Sequence, residues 1–279
     1  MEPAHLDDRA VIAVSGPEAR PFLQGLLTND VESLTPGTGL YAALLSPQGK
    51  ILFDFLLTEG DGAILLDVAR SHHDALLKRL RMYKLRAKVE IESREPLGVF
   101  LNLTGHPDNR PTPYADRAIS FTDPRLPALG VRSIGALAEM PGNLPGARGY
   151  HAHRLTLGVP EAADFGSEKI FALDAGLDEL HGVSFTKGCY VGQELTSRMH
   201  HRATTRKRIL TVTADQQLPS FGAVSRGGAE VGEMIASHGN NGFALVRMDR
   251  LEETSGDVTV ANISVALIRP KWLESRHGA

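Results

Sequence analysis

The chain has 279 residues, 42% hydrophobic and 23% charged, with a formal net charge of −3 and one cysteine. That composition excludes a disordered or fibrous chain and predicts a substantial core with more than one folded unit. One cysteine leaves no partner for an intrachain disulfide, no apolar run reaches the roughly 20 residues of a membrane span, and the acidic start MEPAHLDDRA resembles neither a signal nor a transit peptide, so a cytoplasmic protein without membrane contact is expected.

In chain order, residues 11–14 read as a strand, and Ser15 with Glu18 as a capping box opening a helix that runs to Val31, with Phe22, Leu23, Leu26, Leu27 and Val31 on one face. Residues 40–45 and 51–57 are strand-like and flank Ser46-Pro47-Gln48-Gly49, which predicts a hairpin. A strand is expected over 63–68, a helix over 72–85, and extended chain over 88–92 and 99–103. The stretches 105–113 and 141–149 are rich in Pro, Gly and Asn and read as joins, while 123–130 reads as a rigid turn entering a strand. After about residue 206 short β segments follow, at 209–213, 231–237, 243–248 and 258–268. The pattern is an α+β body over 1–205 and a C-terminal β unit over 206–279.

Charge is uneven along the chain. Lys78, Arg79, Arg81, Lys84, Arg86 and Lys88 form one basic run, and Arg198, Arg202, Arg206, Lys207 and Arg208 form another. Brought together they would suit a polyanion; each alone reads as a solvated face. Eleven histidines include His151-Ala152-His153 and His200-His201, but no CxxC, HExxH or carboxylate–histidine pattern accompanies them, so no dedicated metal site is expected. Neither a Walker A sequence nor a GxGxxG at a strand–helix junction is present.

The lone cysteine lies in Lys187-Gly188-Cys189-Tyr190-Val191-Gly192-Gln193-Glu194. Residues 191–202 can form a helix, which would place Cys189 at or just before its N-terminus, where unpaired N–H groups favour an anion. Lys187 would add to that field and favour the thiolate. Two glycines predict a tightly turned backbone, and a nucleophilic role would call for His200 or His201 as base. The alternative is a small buried hydrophobe with an inert sulfur.

The octapeptide resembles the signature of the YgfZ family of folate-binding proteins, whose mitochondrial relatives assist assembly of [4Fe–4S] proteins. The likeness extends through Phe22-Leu23-Gln24-Gly25-Leu26-Leu27-Thr28-Asn29-Asp30-Val31, Ser46 to Leu52, Met82-Tyr83-Lys84-Leu85-Arg86 and Asp123 to Gly130. That family in turn resembles the aminomethyltransferase of the glycine cleavage system, which implies two interlinked α+β subdomains around a folate pocket and a C-terminal β-barrel. The resemblance implies a tetrahydrofolate site drawn from Asn29, Asp30, Tyr41, Gln48, Asp54, Gly188, Tyr190, Gly192, Gln193, Glu194, Arg198 and Arg202, with Tyr41 stacking on the pterin. Cys189 and Lys187 would carry the functional chemistry, Cys189 contacting a transient shared iron–sulfur cluster, a folate carbon unit or a partner thiol.

Two departures from the aminomethyltransferase stand out. Its adjacent carboxylates after the hairpin turn correspond to Phe53-Asp54, and its folate-binding glutamate in Arg-Leu-Glu corresponds to Thr156 of Arg154-Leu155-Thr156. Neither Phe53 nor Thr156 can move a proton on a pterin nitrogen. The expected function is therefore a folate-binding accessory protein for [4Fe–4S] enzymes and, through them, tRNA modification, with iron–sulfur assembly or client proteins as partners. The rivals are a one-carbon transferase using Asp54 and a module binding tRNA directly through the basic runs.

Overall fold

The computed structural model describes residues 3–103, 118–202 and 206–274. In chain order these form β1 (Ala4–His5), β2 (Arg9–Ser15), α1 (Ala19–Gln24), β3 (Gly39–Leu45), β4 (Ile51–Gly60), β5 (Ala63–Ala69), α2 (His73–Lys84), β6 (Glu90–Ser93), β7 (Leu97–Asn102), β8 (Ala118–Thr122) and β9 (Val131–Ala136). Then come α3 (Arg148–Thr156), α4 (Ala162–Phe165), α5 (Gln193–His201), β10 (Lys207–Thr213), β11 (Gly222–Arg226), β12 (Ala229–His238), β13 (Asn241–Arg247), α6 (Met248–Glu253), β14 (Val258–Val260), β15 (Ile263–Ser264), β16 (Ala266–Ile268) and α7 (Lys271–Glu274). The predicted join at 105–113 lies outside the described residues.

Three antiparallel sheets result, in strand orders β3-β4-β5-β2-β6, β1-β7-β9-β8 and β15-β14-β11-β12-β13-β10-β16. The period-two pleat sorts the first sheet onto two faces. Ile12, Val14, Ala42, Leu44, Phe53, Phe55, Leu57, Ile64 and Leu66 enter the core with Leu23, Leu76 and Leu80 from α1 and α2. Val11, Ala13, Tyr41, Ala43, Leu45, Leu56 and Leu65 join the central core with Val99 and Ile134 of the second sheet and Tyr150 and Leu155 of α3. The expected α+β body with a C-terminal β unit is present.

Some local readings change. The helix expected to open at the Ser15–Glu18 capping box and run to Val31 ends at Gln24, and no side chain caps it; Glu18 instead accepts from the Lys88 backbone N–H at 2.9 Å. Past Gly25 the chain turns to follow β3: Leu27 bridges Leu44, and Thr28 exchanges bonds with Ala43, covering the edge of the sheet. The single strand expected over 258–268 is broken because Ala261 and Asn262 take φ of +48° and +66°, a two-residue hairpin turn joining β14 to β15. Strand β11, with a glycine at its start and polar residues around Val224, carries little apolar signal.

Candidate functional site

The cysteine motif is held by its lysine. Lys187 Nζ donates to the carbonyls of Gln24 and Leu27 at 2.6 Å and of Asn29 at 2.9 Å, so its three donors tie the end of α1 to the segment that follows it. Burial lowers this ammonium to about 8. Its hydrogen bonds go to these three carbonyls and not to Cys189, which gives the lysine an anchoring role in the loop. The preceding residues run beside the same segment: Thr28 Oγ1 donates to Gly182 O at 2.7 Å, and Ser184 N donates to Thr28 O at 3.0 Å.

The second hold is the hairpin turn between β3 and β4. Gly192, at φ +81°, packs so closely that a Cβ there would lie 2.6 Å from Ser46 O and 2.9 Å from Leu45 Cβ. Gly49, at φ +77°, lies against Leu195 and Gly192 from the other side. Two segments far apart in sequence are thereby pressed together backbone to backbone. Gly188 has open space around it, so of the two motif glycines Gly192 is the one the turn requires. Tyr190 is buried beneath the loop, its phenol pushed up to about 12 by burial, and Gln193 Oε1 accepts from Tyr190 N at 3.3 Å.

Between these holds Cys189 is exposed. Helix α5 starts at Gln193, leaving the thiol on the loop ahead of the helix rather than at its first turn. His200 is stacked on Phe185 with ring centroids 3.8 Å apart and His201 packs edge-on to His200, which engages the imidazole expected as a base. Gln48, Glu194, Arg198 and Arg202 are exposed around the motif. Asn29 is buried and donates to the carbonyls of Tyr41 and His181 at 2.8 and 2.7 Å, and Asp30 accepts from Gln24 Nε2 at 2.8 Å. These two residues position the loop.

The pleat decides the fate of the Phe53-Asp54 pair. Phe53 faces the helix layer, edge-on to His72 at 5.7 Å, whereas Asp54 faces the centre and accepts from Tyr41 Oη at 2.9 Å and Ala162 N at 3.1 Å. Burial, then the charge of Glu161, raises the Asp54 carboxyl. Tyr41 is itself buried, with the Arg125 guanidinium 5.4 Å above its ring and Gly182 against its edge, so protein groups occupy the surroundings where a pterin was expected to stack.

Around this pair lies a buried ionic network that no sequence motif announced. Arg132 of the second sheet joins Asp67 of the first (2.7 Å) to Asp123 just past β8 (3.0 Å); Arg125 joins Asp123 (2.7 Å) to Glu161 (2.9 Å); Arg154 of α3 binds Asp164 of α4 at 2.6 Å. Tyr150 Oη donates to Glu161. Burial alone would raise Asp123, Glu161 and Asp164, but the surrounding arginines outweigh it and hold all three below the usual carboxylate range.

Beyond Arg125 a cavity of about 900 Å³ opens between the end of α3 and the C-terminal sheet, bordered among others by Arg125, Thr156, Glu179, His181, Lys271 and Trp272. Its size falls in the range of small-molecule sites, and the expected site residues Asn29, Asp54 and Gln48 do not border it. Among the described residues no three His, Cys, Asp or Glu side chains gather as a metal site, and no helix is long and apolar enough to cross a membrane.

Comparison with known proteins gives this geometry a setting. A family model described as the CAF17 C-terminal β-barrel domain matches residues 206–275. The chain is 36% identical over 303 residues to the Mus musculus "Iron-sulfur cluster assembly factor IBA57, mitochondrial", covering 96% of this chain and 84% of that protein. The Homo sapiens protein of the same description is 34% identical over 303 residues, with the same coverage. A Coccidioides immitis homologue is 32% identical over 306 residues, covering 90% of this chain and 72% of its own. Among solved structures, the glycine cleavage system aminomethyltransferase T of Bartonella henselae superposes with a TM-score of 0.75 at 16% identity, covering 98% of this chain and 86% of that one, which establishes the fold. These IBA57 relatives are mitochondrial, which overturns the cytoplasmic placement expected from the acidic N-terminal residues.

Proposed function

Since the chain belongs to the YgfZ-type family that contains the IBA57 iron–sulfur cluster assembly factors, we propose that it lends the Cys189 thiolate to a cluster in transit while its cavity holds a tetrahydrofolate. The observation that carries this reading is the exposed thiol on a loop clamped at both ends, by Lys187 on three carbonyls and by Gly192 on the hairpin turn. A [4Fe–4S] cluster held by cysteines wants four thiolates. One cysteine per chain supplies one ligand, so the remaining ligands belong to a partner, either an assembly protein, a client or a second copy. Among the enzymes served, tRNA-modifying [4Fe–4S] enzymes would lose activity when this protein fails.

The test is Cys189→Ala in cells, with folding and folate binding followed on the purified protein. The expected result is a folded, folate-binding variant in whose presence [4Fe–4S] enzyme activity falls severalfold. Unchanged enzyme activity would remove the thiol from the reading.

A one-carbon transferase is the second reading, favoured by Asp54 facing the centre rather than the helix layer. Asp54 is committed to Tyr41 and Ala162 and does not border the cavity, so purified protein is expected to show no turnover of a methylene- or aminomethyl-folate donor.

A further inference from the structure

The stretch Met82-Tyr83-Lys84-Leu85-Arg86 turns the end of α2 into an apolar and cationic corner. Leu85 is 88% exposed and Met82 61%. Lys84 O accepts from Ala87 N at 2.8 Å, which closes a turn over residues 84–87. Leu85 takes φ +43° and ψ −105° in it, close to the first corner of a type II′ turn, where glycine is favoured. A side chain in that region strains the backbone, and one so exposed returns little packing to the fold. Between residues 78 and 88 the sequence carries six cations and no acid, and of these Lys78, Arg81, Arg86 and Lys88 are exposed. An open groove of about 490 Å³, bordered by Asp74, Leu77, Lys78, Arg81 and Met82, leads along the helix to the corner.

One short helix separates this corner from the cysteine loop. Lys88 adjoins the start of α1, its N–H donating to Glu18 Oε2 at 2.9 Å and its carbonyl accepting from Glu18 N at 3.5 Å. The other end of α1 is held by Lys187 through Gln24 O at 2.6 Å. The six residues of α1 span about 9 Å. Tyr83 and Val191, each two residues from Leu85 and Cys189 respectively, pack against the same core layer. A protein interface of ordinary size covers about 800 Å² of each partner, enough to take in both places.

Resting on the cluster reading, we propose that this corner is the docking surface for an acidic partner protein that shares the cluster at Cys189. An apolar side chain of the partner sits against Met82 and Leu85, and its carboxylates face Lys78, Arg86 and Lys88. Exposed apolar groups ringed by charge of one sign fit a protein surface of the opposite sign with an apolar centre. RNA fits less well, because single-stranded nucleic acid gains from stacking on exposed rings, and the ring of this stretch, Tyr83, is packed against the core. The partner also accounts for Leu85: the strained, exposed leucine is placed for a contact outside the chain.

The experiment compares Leu85→Gly, Lys78→Glu/Arg86→Glu and Cys189→Ala with wild type for [4Fe–4S] enzyme activity in cells and for thermal midpoint as purified full chains, and places a photo-crosslinking amino acid at position 85 in the same cells. Leu85→Gly is expected to melt at or above the wild-type midpoint, because glycine relieves the strain at φ +43°, and yet to lower enzyme activity severalfold. The charge reversal should fold and lower activity likewise. The crosslink should yield one protein adduct of acidic pI that the charge reversal abolishes, and that protein, once purified, should bind wild type at least about tenfold more tightly than the charge reversal. A midpoint below wild type for Leu85→Gly would show that the side chain serves the fold and overturn its role. Wild-type activity in both surface variants, or an adduct with RNA, lipid or a second copy of this chain, would overturn the docking surface. If Cys189→Ala alone lowers activity, the cluster reading stands without this proposal; if Cys189→Ala is silent, the cluster reading falls and the proposal with it.

Discussion

Lys187 directs all three of its N–H donors at carbonyls of the last residue of α1 and of the segment that follows it, and this makes it the fastener of the loop that displays Cys189. Replacing it with Met keeps the apolar stem and orphans three carbonyls that are largely shielded from water. A loss of about 2–4 kcal/mol is expected from the chevron or equilibrium midpoint in urea, since unmet buried acceptors cost about 1–3 kcal/mol each and partial hydration recovers some of it. Limited proteolysis should cut the variant between residues 185 and 192 while sparing the wild type. The residue scale also resolves the pair at 53 and 54. The two side chains point to opposite faces of one strand, so the acid that matters to the centre is present and the phenylalanine belongs to another layer. Alternation in β4 made this legible once the strand was recognised; that Asp54 would then be covered by Tyr41 and Ala162 was not, because both partners arrive from other elements.

At the scale of elements, the contact between the hairpin turn and the N-terminal end of α5 sets the position of the motif. Its two glycines make a matched test. Gly192→Ala meets Ser46 O at 2.6 Å and requires a side chain at φ +81°, and is expected to cost about 2–4 kcal/mol, read as a lower thermal midpoint and faster alkylation of Cys189. Gly188→Ala meets nothing within 4 Å and should stay within about 0.5–1 kcal/mol of wild type. Equal effects of the two substitutions would contradict the docking of loop on turn. The glycines were visible in sequence as turn residues, but the sequence treats them alike; which one needs its missing side chain depends on a neighbour about 145 residues away in the chain.

At the scale of the whole molecule, the buried ion pairs tie the first sheet, the second sheet and α3–α4 to one another. Each carboxylate has at least one arginine, so removing one partner strands a charge. Glu161→Gln is expected to destabilise by about 3–5 kcal/mol, because Arg125 loses its salt bridge and Arg9, Arg132 and Arg154 lose a nearby counter-charge. The sign of the pH dependence follows from the depressed carboxyls. Asp123, Glu161 and Asp164 are held below their ordinary range in the folded state, so their contribution is fully present above about pH 5 and is lost as pH falls through their folded values. Acid unfolding followed by circular dichroism should therefore be steep below about pH 4, and Glu161→Gln should shift its midpoint upward.

By itself the sequence determined the local elements with strong periodicity, namely β2 to β5, α2, α5 and most strands of the C-terminal unit, because alternation and turn residues act over a few neighbouring positions. It also marked the cysteine octapeptide and the hairpin turn as the places where backbone is tightly bent. Tertiary structure decided the rest: that Lys187 anchors the loop through three carbonyls at and beyond the end of α1, that α1 stops at Gln24, that four arginines and four carboxylates scattered between residues 9 and 164 meet in one buried network, and that Glu179 and Thr156 border one cavity. Those outcomes depend on which distant groups share a low-dielectric space, where charge and unmet hydrogen bonds are costly enough to choose partners that no local pattern records.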